Sequence, residues 1–355
     1  MSLSFLKDFK KTVNKLDSVI VGISKPQEWI STGNYALNYA LTGDWHKGIA
    51  LGRSTAFVGP SGSGKSFLTC NAIKHAQLGG FHVLALDSEN ALDMDYLTKI
   101  GAKVDEEHLT YAKVTTIEDV NAVCAEFFKS YVKTYGKDNP DAPKVLIVLD
   151  SLAMLASTTE MENYEGGGVI KGDQGQLAKR RKAMLKLIHG QLAMLPMALV
   201  FTDHVYNQDI MLGDGAWAIT NSVKFFPSAI GLVTKLKLKE GTEVVGVRMR
   251  VETYKSRFAK AGTKIELEVP YSKGMSPFTG LCDILEVLGV IKKSDVPGKK
   301  QGWMMSTEDI DGAPYFFKPD DMTHEDAKML FKHPKACPTT LSMEVPELDV
   351  DDGES

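Results

Sequence analysis

Gly59, Pro60, Ser61, Gly62, Ser63, Gly64, Lys65 and Ser66 form one unbroken string between an apolar run at 54–58 and a segment carrying Phe67, Leu68, Ala72 and Ile73. It fits the P-loop pattern G-x-x-x-x-G-K-[ST]. Each residue type has a physical reason. A glycine-rich exit from a buried strand lets consecutive backbone N–H groups converge on phosphate oxygens, where a Cβ would obstruct the turn. A helix starting near Lys65 directs its partial positive charge at the bound anion. The Lys65 ammonium has the length to reach the β- and γ-phosphates, and the Ser66 hydroxyl suits a hard cation such as Mg²⁺. With strand, loop and helix in this order, the chain is expected to bind a nucleoside triphosphate.

The 355 residues, 43% of them hydrophobic, suffice for one large α/β domain with additions, or for two domains. The net formal charge of −4 argues against a simple basic nucleic-acid binder. That charge is uneven, however. Glu344, Glu347, Asp349, Asp351, Asp352 and Glu354 follow the last basic residue, Lys335, and setting those six charges aside turns the net −4 into +2. The four cysteines are scattered, with no C-x-x-C pair, which fits reduced thiols rather than a zinc site or a disulfide framework. No N-terminal h-region and no run of transmembrane length is present, so a cytoplasmic protein without a membrane partner is expected.

Along the chain, Leu3, Phe5, Leu6, Phe9, Val13 and Leu16 form an apolar stripe among Lys7, Lys10, Lys11 and Lys15, an amphipathic helix that packs on its own domain or docks on a neighbour. Residues 18–23 read as a short strand. Strands are expected at 54–58, 82–87, 109–113, 144–149 and 198–203, alternating with helices at 65–77, 93–100, 117–135 and 174–195. Such alternation implies a mostly parallel sheet covered on both faces. Residues 229–238, 242–252 and 264–269 then read as consecutive strands, an antiparallel extension. The expected division is an N-terminal segment (1–30), a nucleotide-binding core (31–276), a small C-terminal domain (277–335) and an acidic tail (336–355).

The strand Val-Leu-Ile-Val-Leu ends in Asp150, which places an acid at the carboxyl edge of the sheet, where ligands bind. Asp150 is the candidate second holder of Mg²⁺ beside Ser66. A second acidic strand end carries Asp87 and Glu89. Glu89, just past the strand, is the better candidate to orient an attacking water; Asp87 reads as structural. Tyr96, on the following helix, offers an aromatic face to a base.

These strings, taken together with Ser-Thr-Gly-Asn-Tyr-Ala-Leu-Asn (31–38), Asp-Ser-Glu-Asn-Ala-Leu-Asp-Met-Asp-Tyr (87–96) and Ile-Thr-Asn-Ser-Val-Lys-Phe-Phe-Pro-Ser (219–228), resemble the RecA recombinase family, and within it the phage UvsX-type branch. The resemblance spans roughly residues 25–305. It implies a RecA-like P-loop ATPase fold, with Glu89 as the catalytic glutamate and Tyr96 stacking on adenine. It puts His204 where the family carries a γ-phosphate sensor, usually glutamine. It also implies that Lys255 and Arg257 reach into the ATP site of a neighbouring subunit. Two loops, at about 158–172 and 206–221, are expected to face DNA through Tyr164, Lys171, Met211, Leu212, Trp217 and Lys224. The basic run 179–182 is a further candidate for phosphate contacts.

The resulting expectation is a Mg²⁺-dependent, DNA-dependent ATPase that assembles helical filaments on single-stranded DNA and pairs it with homologous duplex DNA, aided by single-strand-binding and loading proteins, in the host cytoplasm if the gene is carried by a phage. A RecA-like hexameric helicase or regulatory ATPase is the alternative. A small-molecule P-loop kinase is less favoured, because neither an acceptor pocket nor an Arg-rich lid is evident.

Overall fold

Strands with no polar stripe can be satisfied only inside a sheet that is covered twice, and this is how the chain uses them. The computed structural model describes residues 3–13, 26, 28–137, 139–167, 175–207, 217–294, 304–307, 315–317 and 322–337. In chain order they form α1 (Leu3–Val13), β1 (Trp29–Ile30), α2 (Tyr35–Thr42), β2 (Ile49–Ala50), β3 (Ser54–Gly59), α3 (Lys65–Leu78), β4 (His82–Asp87), α4 (Met94–Lys99), β5 (Leu109–Lys113), α5 (Ile117–Tyr135) and β6 (Val145–Asp150). There follow α6 (Thr158–Glu165), α7 (Gln176–Leu192), β7 (Met197–His204), β8 (Tyr206–Asn207), β9 (Trp217–Ala218), α8 (Asn221–Lys224), β10 (Ala229–Glu240), β11 (Glu243–Ser256) and β12 (Lys264–Pro270). The last elements are α9 (Leu281–Val287), β13 (Ile291–Ser294), β14 (Met304–Thr307), β15 (Tyr315–Phe317) and α10 (His324–Phe331).

Eight strands form the main sheet in the order β12-β11-β10-β3-β7-β6-β4-β5. Pairing is parallel from β10 through β5, and β11 and β12 add the expected antiparallel extension. Side chains alternate across the sheet with period two. Phe57, Val83, Ala85, Leu146, Val148 and Val200 point into one core with residues of α2, α3, α9 and α10. Their neighbours Ala56, Val58, Leu84, Leu86, Ile147, Leu149 and Phe201 enter a second core with α5 and α7. The fold expected from the alternation of strands and helices is therefore the one observed.

The segment before β3 is anchored by two buried asparagines. Asn34 caps α2 by accepting from the Leu37 N–H at 2.8 Å, and its amide donates to the carbonyls of Ser276 at 3.0 Å and Thr279 at 2.9 Å. An N-cap of this kind stabilises by about 1 kcal/mol. Asn38 accepts from the Thr32 N–H at 2.8 Å and donates to Ser31 Oγ at 3.0 Å and the Trp45 carbonyl at 2.9 Å. Gly33, immediately before Asn34, has φ +86°, and the His75 imidazole occupies the space a Cβ would need. Trp45 stacks between Tyr39 and Phe331, and its Nε1 donates to the Ala336 carbonyl at 2.7 Å. Leu281, Leu285, Met322 and Leu330, all beyond Pro277, belong to the same core as Ile73 and Leu37.

Three expectations meet a different structure. Residues 158–165, read as the start of a glycine-rich loop, form helix α6, because Ser157 and Glu160 make a capping box in which each satisfies the other's backbone N–H. The second strand of the extension runs on to Ser256 instead of stopping at 252. The helix expected at 174–195 is the shorter α7, entered through Gly175 at φ +81°. The strand expected at 18–23, the glycine run beyond Gly167 and the acidic tail from residue 338 onward lie outside the described residues. In α1, Phe5 and Phe9 stack on each other yet remain 55% and 51% exposed.

Candidate nucleotide site

Register brings the candidate residues to one edge of the sheet. Gly59 at the end of β3 pairs with His204 at the end of β7, and Asp87 at the end of β4 pairs with Asp150 at the end of β6. All four therefore sit at carboxyl ends of parallel strands, the side on which such sheets bind ligands.

The loop from Gly59 to Ser66 needs its glycines. Gly62 has φ +67° and Gly64 φ +104°, a region that side-chain-bearing residues rarely adopt. At Gly59 a Cβ would run into the Val233 carbonyl of β10. Lys65 is 6% exposed, and its ammonium donates to the carbonyls of Gly59 at 3.0 Å and Pro60 at 2.9 Å. Burial pushes its pKa down, while the carboxylates of Glu89, Asp150 and Asp203 oppose that shift. Those three acids are the counter-charges that keep a buried cation in place.

Asp150 is 1% exposed. Its Oδ1 accepts from the Thr202 hydroxyl. Its Oδ2 is buried and has no hydrogen-bond partner among the described residues. Burial raises the Asp150 pKa, whereas the Thr202 and Ser66 hydroxyls favour its charged form; the carboxylates of Glu89 and Asp87 raise it further. An orphaned carboxylate oxygen beside a hydroxyl, at a strand edge, is a hard-oxygen donor set. It fits Mg²⁺ and does not suit thiophilic metals.

Asp87 performs a different task. It is 2% exposed and accepts from the N–H groups of Glu89 at 3.0 Å, Ala91 at 3.2 Å and Leu92 at 3.1 Å, and from the Tyr111 hydroxyl at 2.9 Å. Three of these bonds shape the turn after β4, and the fourth ties it to β5. That turn carries Glu89, whose Oε1 lies 2.5 Å from Ser151 Oγ and 3.1 Å from His204 Nε2. Tyr96, in α4 behind its Asp93 cap, packs half-buried on the first core, and burial pushes its hydroxyl up to about 12.

Lys255 lies near the end of β11. Its ammonium donates to the carbonyls of Lys224 at 2.8 Å and Phe225 at 3.1 Å, where α8 ends, and burial lowers its pKa. The backbone N–H of Arg257 donates to the Ser228 carbonyl at 2.8 Å. Neither residue contacts the P-loop of its own chain among the described contacts.

The residues expected to face DNA are only partly described. Tyr164, 71% exposed, lies on α6 and lines an apolar groove of about 470 Å³ with Met154, Met161 and Leu177. The backbone of Trp217 pairs with Asn207. Lys224 ends α8. Lys171, Met211 and Leu212 lie outside the described residues. The basic run on α7 is divided: Arg180 donates to Glu118 at 3.0 Å, and Arg181 reaches inward to the carbonyls of Ala153 at 2.8 Å and Leu155 at 2.7 Å.

Sequence reasoning missed Ser151 and Thr202. Ser151 directly follows a candidate metal ligand, and Thr202 lies two residues before His204; position next to an acid was the signal available for each.

A parallel sheet with an antiparallel extension, a P-loop at the exit of β3 and acids at the exits of β4 and β6 define an α/β protein of the P-loop class. The RecA N-terminal domain family matches residues 5–276, and the chain belongs to it. Among its relatives are the RecA proteins of Streptomyces venezuelae (29% identical over 273 residues, 76% of this chain and 67% of that protein), Chlorobaculum tepidum (28% over 268 residues, 75% and 72%) and Leifsonia xyli subsp. xyli (29% over 272 residues, 76% and 71%). Among the described residues no helix is long and apolar enough to cross a membrane.

Proposed function

We propose that this protein is a DNA-dependent ATPase recombinase that assembles as an ATP-bound helical filament on single-stranded DNA, promotes pairing and strand exchange with homologous duplex DNA, and belongs to the phage UvsX-type branch of its family. The observation that supports it best is the convergence of Lys65, Glu89, Asp150 and His204 at one sheet edge in a chain whose RecA family match covers residues 5–276.

In this reading the N–H groups from Ser61 to Ser66 cradle the triphosphate, and Lys65 swings from the Gly59 and Pro60 carbonyls to the β- and γ-phosphates. Ser66 and Asp150 would hold Mg²⁺. When bound, the ion neutralises charge on the phosphate oxygens. Tyr96 stacks on the base. Glu89 orients the attacking water and takes up its proton, and His204 contacts the γ-phosphate. Lys255 and Arg257 act across a subunit boundary, as cations that stabilise charge developing on the transferred phosphoryl group. Contacts that do not close on themselves generate a helix rather than a ring, and α1, with Phe5 and Phe9 uncovered, suits a neighbour. Tyr164, Lys171, Met211, Leu212, Trp217 and Lys224 face DNA, and single-strand-binding and loading proteins are the remaining partners.

The test is ATP turnover with and without single-stranded DNA. Stimulation of about tenfold or more, a gap of at least 1.4 kcal/mol in barrier, is expected. Turnover indifferent to DNA would overturn the reading.

A further inference from the structure

The turn after β4 and the exit of β6 are laced together. The Ser88 N–H donates to the Asp150 carbonyl at 2.8 Å. The Ser151 N–H donates to Ser88 Oγ at 2.8 Å, and Ser88 Oγ donates in turn to the Ser151 carbonyl at 2.7 Å. The Ser151 hydroxyl, on a residue that is 0% exposed, is left to donate to Glu89 Oε1 at 2.5 Å.

A hydroxyl has one proton, and Ser151 commits it to Glu89. His204 Nε2 approaches the same oxygen, so both contacts fall on Oε1. Oε2 has no hydrogen-bond partner among the described residues, which leaves it available to a water. A glutamate side chain is otherwise long and mobile, with rotamer entropy of about 1.5–2 kcal/mol to lose. Pinning one oxygen and freeing the other is what a water-orienting base requires.

Ser151 also roots a second element. The 3₁₀ turn Leu152–Met154 follows it directly, Arg181 holds the Ala153 and Leu155 carbonyls of this stretch, and α6 comes next with Tyr164. Ser151 is thus joined to this segment through the three covalently continuous residues of the turn.

We infer that Ser151 is a positioning residue for Glu89, and that it ties the placement of this carboxylate to residues 152–167. The inference rests on the reading of Glu89 as the water-orienting base. Hydrogen bonds to charged groups contribute enough that removing one is expected to cost about tenfold in turnover.

The test is a double-mutant cycle on the full chain, with ATP turnover measured with and without single-stranded DNA and nucleotide affinity followed with a fluorescent ATP analogue. Ser151→Ala is expected to lower kcat about tenfold or more, with KM and analogue affinity unchanged within about twofold. In a Glu89→Gln background the same substitution is expected to change the residual turnover by less than about twofold, because a residue acting through Glu89 has nothing left to position. An equal loss in both backgrounds would make Ser151 merely structural and overturn the inference. So would wild-type kcat in Ser151→Ala beside a strong loss in Glu89→Gln, and that result leaves the reading of Glu89 intact. Wild-type turnover in Glu89→Gln itself would instead sink the parent reading. Ser151→Cys, similar in volume and a weak donor, repeats the cycle if the alanine variant folds poorly.

Discussion

His204 Nε2 lies 3.1 Å from Glu89 Oε1, although β7 and β4, the strands that deliver them, are not neighbours but flank β6. The contact therefore passes over the exit of β6, beside Asp150. It links the strand that leads toward residues 206–221 with the turn that carries the proposed base.

The first prediction concerns this pair and Lys65. Glu89→Gln keeps ATP affinity but lowers kcat by about 10²-fold or more, as loss of a general base implies. Lys65→Ala abolishes hydrolysis, because it removes the buried ammonium that holds the Gly59 and Pro60 carbonyls at the head of the loop. Steady-state turnover and analogue binding check both; unimpaired kcat in Glu89→Gln would remove it from the mechanism.

A second prediction follows from burial of Asp150. Its pKa is raised in the folded state, so the native protein holds its proton more tightly than the unfolded chain does. Stability contributed by this group is therefore lost as pH rises through and above the ordinary aspartate range, and the nucleotide-free protein carries that cost at neutral pH. Asp150→Asn removes the charge and can still accept from Thr202. Its melting temperature at pH 7 is expected to rise, relief of the buried charge outweighing the lost attraction to Lys65. The gain shrinks as pH falls toward 4, while Mg²⁺-supported hydrolysis is lost at every pH. Thermal melts across pH, with and without Mg²⁺, measure this; a lower melting temperature at pH 7 contradicts it.

Much of this architecture was legible because it is local. The apolar strands and the glycine string announce themselves within a dozen residues, and register then follows from parallel packing. What stayed hidden depends on distant partners. Ser151 and Glu89 are 62 residues apart, and nothing near Ser151 in sequence shows where its hydroxyl points. Trp45 and Ala336 are separated by 291 residues, so the packing of the C-terminal segment on α2 had no sequence signal. Helix α6 was obscured for a different reason: the glycines at 166–168 suggested a loop and outweighed the Ser157/Glu160 capping box, which did carry the signal.

The third prediction concerns α1. Phe5 and Phe9 are uncovered in the isolated chain. Phe5→Ala/Phe9→Ala is expected to leave the melting temperature within about 1 °C, since exposed substitutions usually cost under 0.5 kcal/mol, yet to prevent self-association in sedimentation with ATP and DNA. Unchanged assembly would show that the stripe does not contact a neighbour.

The fourth prediction tests action in trans. A Lys255→Ala/Arg257→Ala protein and a Lys65→Ala protein are each expected to be inactive alone. Mixed, they recover part of the wild-type turnover, because hybrid boundaries join an intact P-loop to intact cations. Lys255 also holds the Lys224 and Phe225 carbonyls, so Arg257→Ala alone serves as the gentler partner in the mixture. Silence in mixtures shown to co-assemble counts against a shared site.

The central claim is a helical filament on DNA, and electron microscopy of the full chain with single-stranded DNA, Mg²⁺ and a non-hydrolysable ATP analogue tests it most directly. Continuous helical filaments that vanish when the analogue is omitted are the result expected. Closed rings, or isolated subunits along otherwise bare DNA, would contradict it.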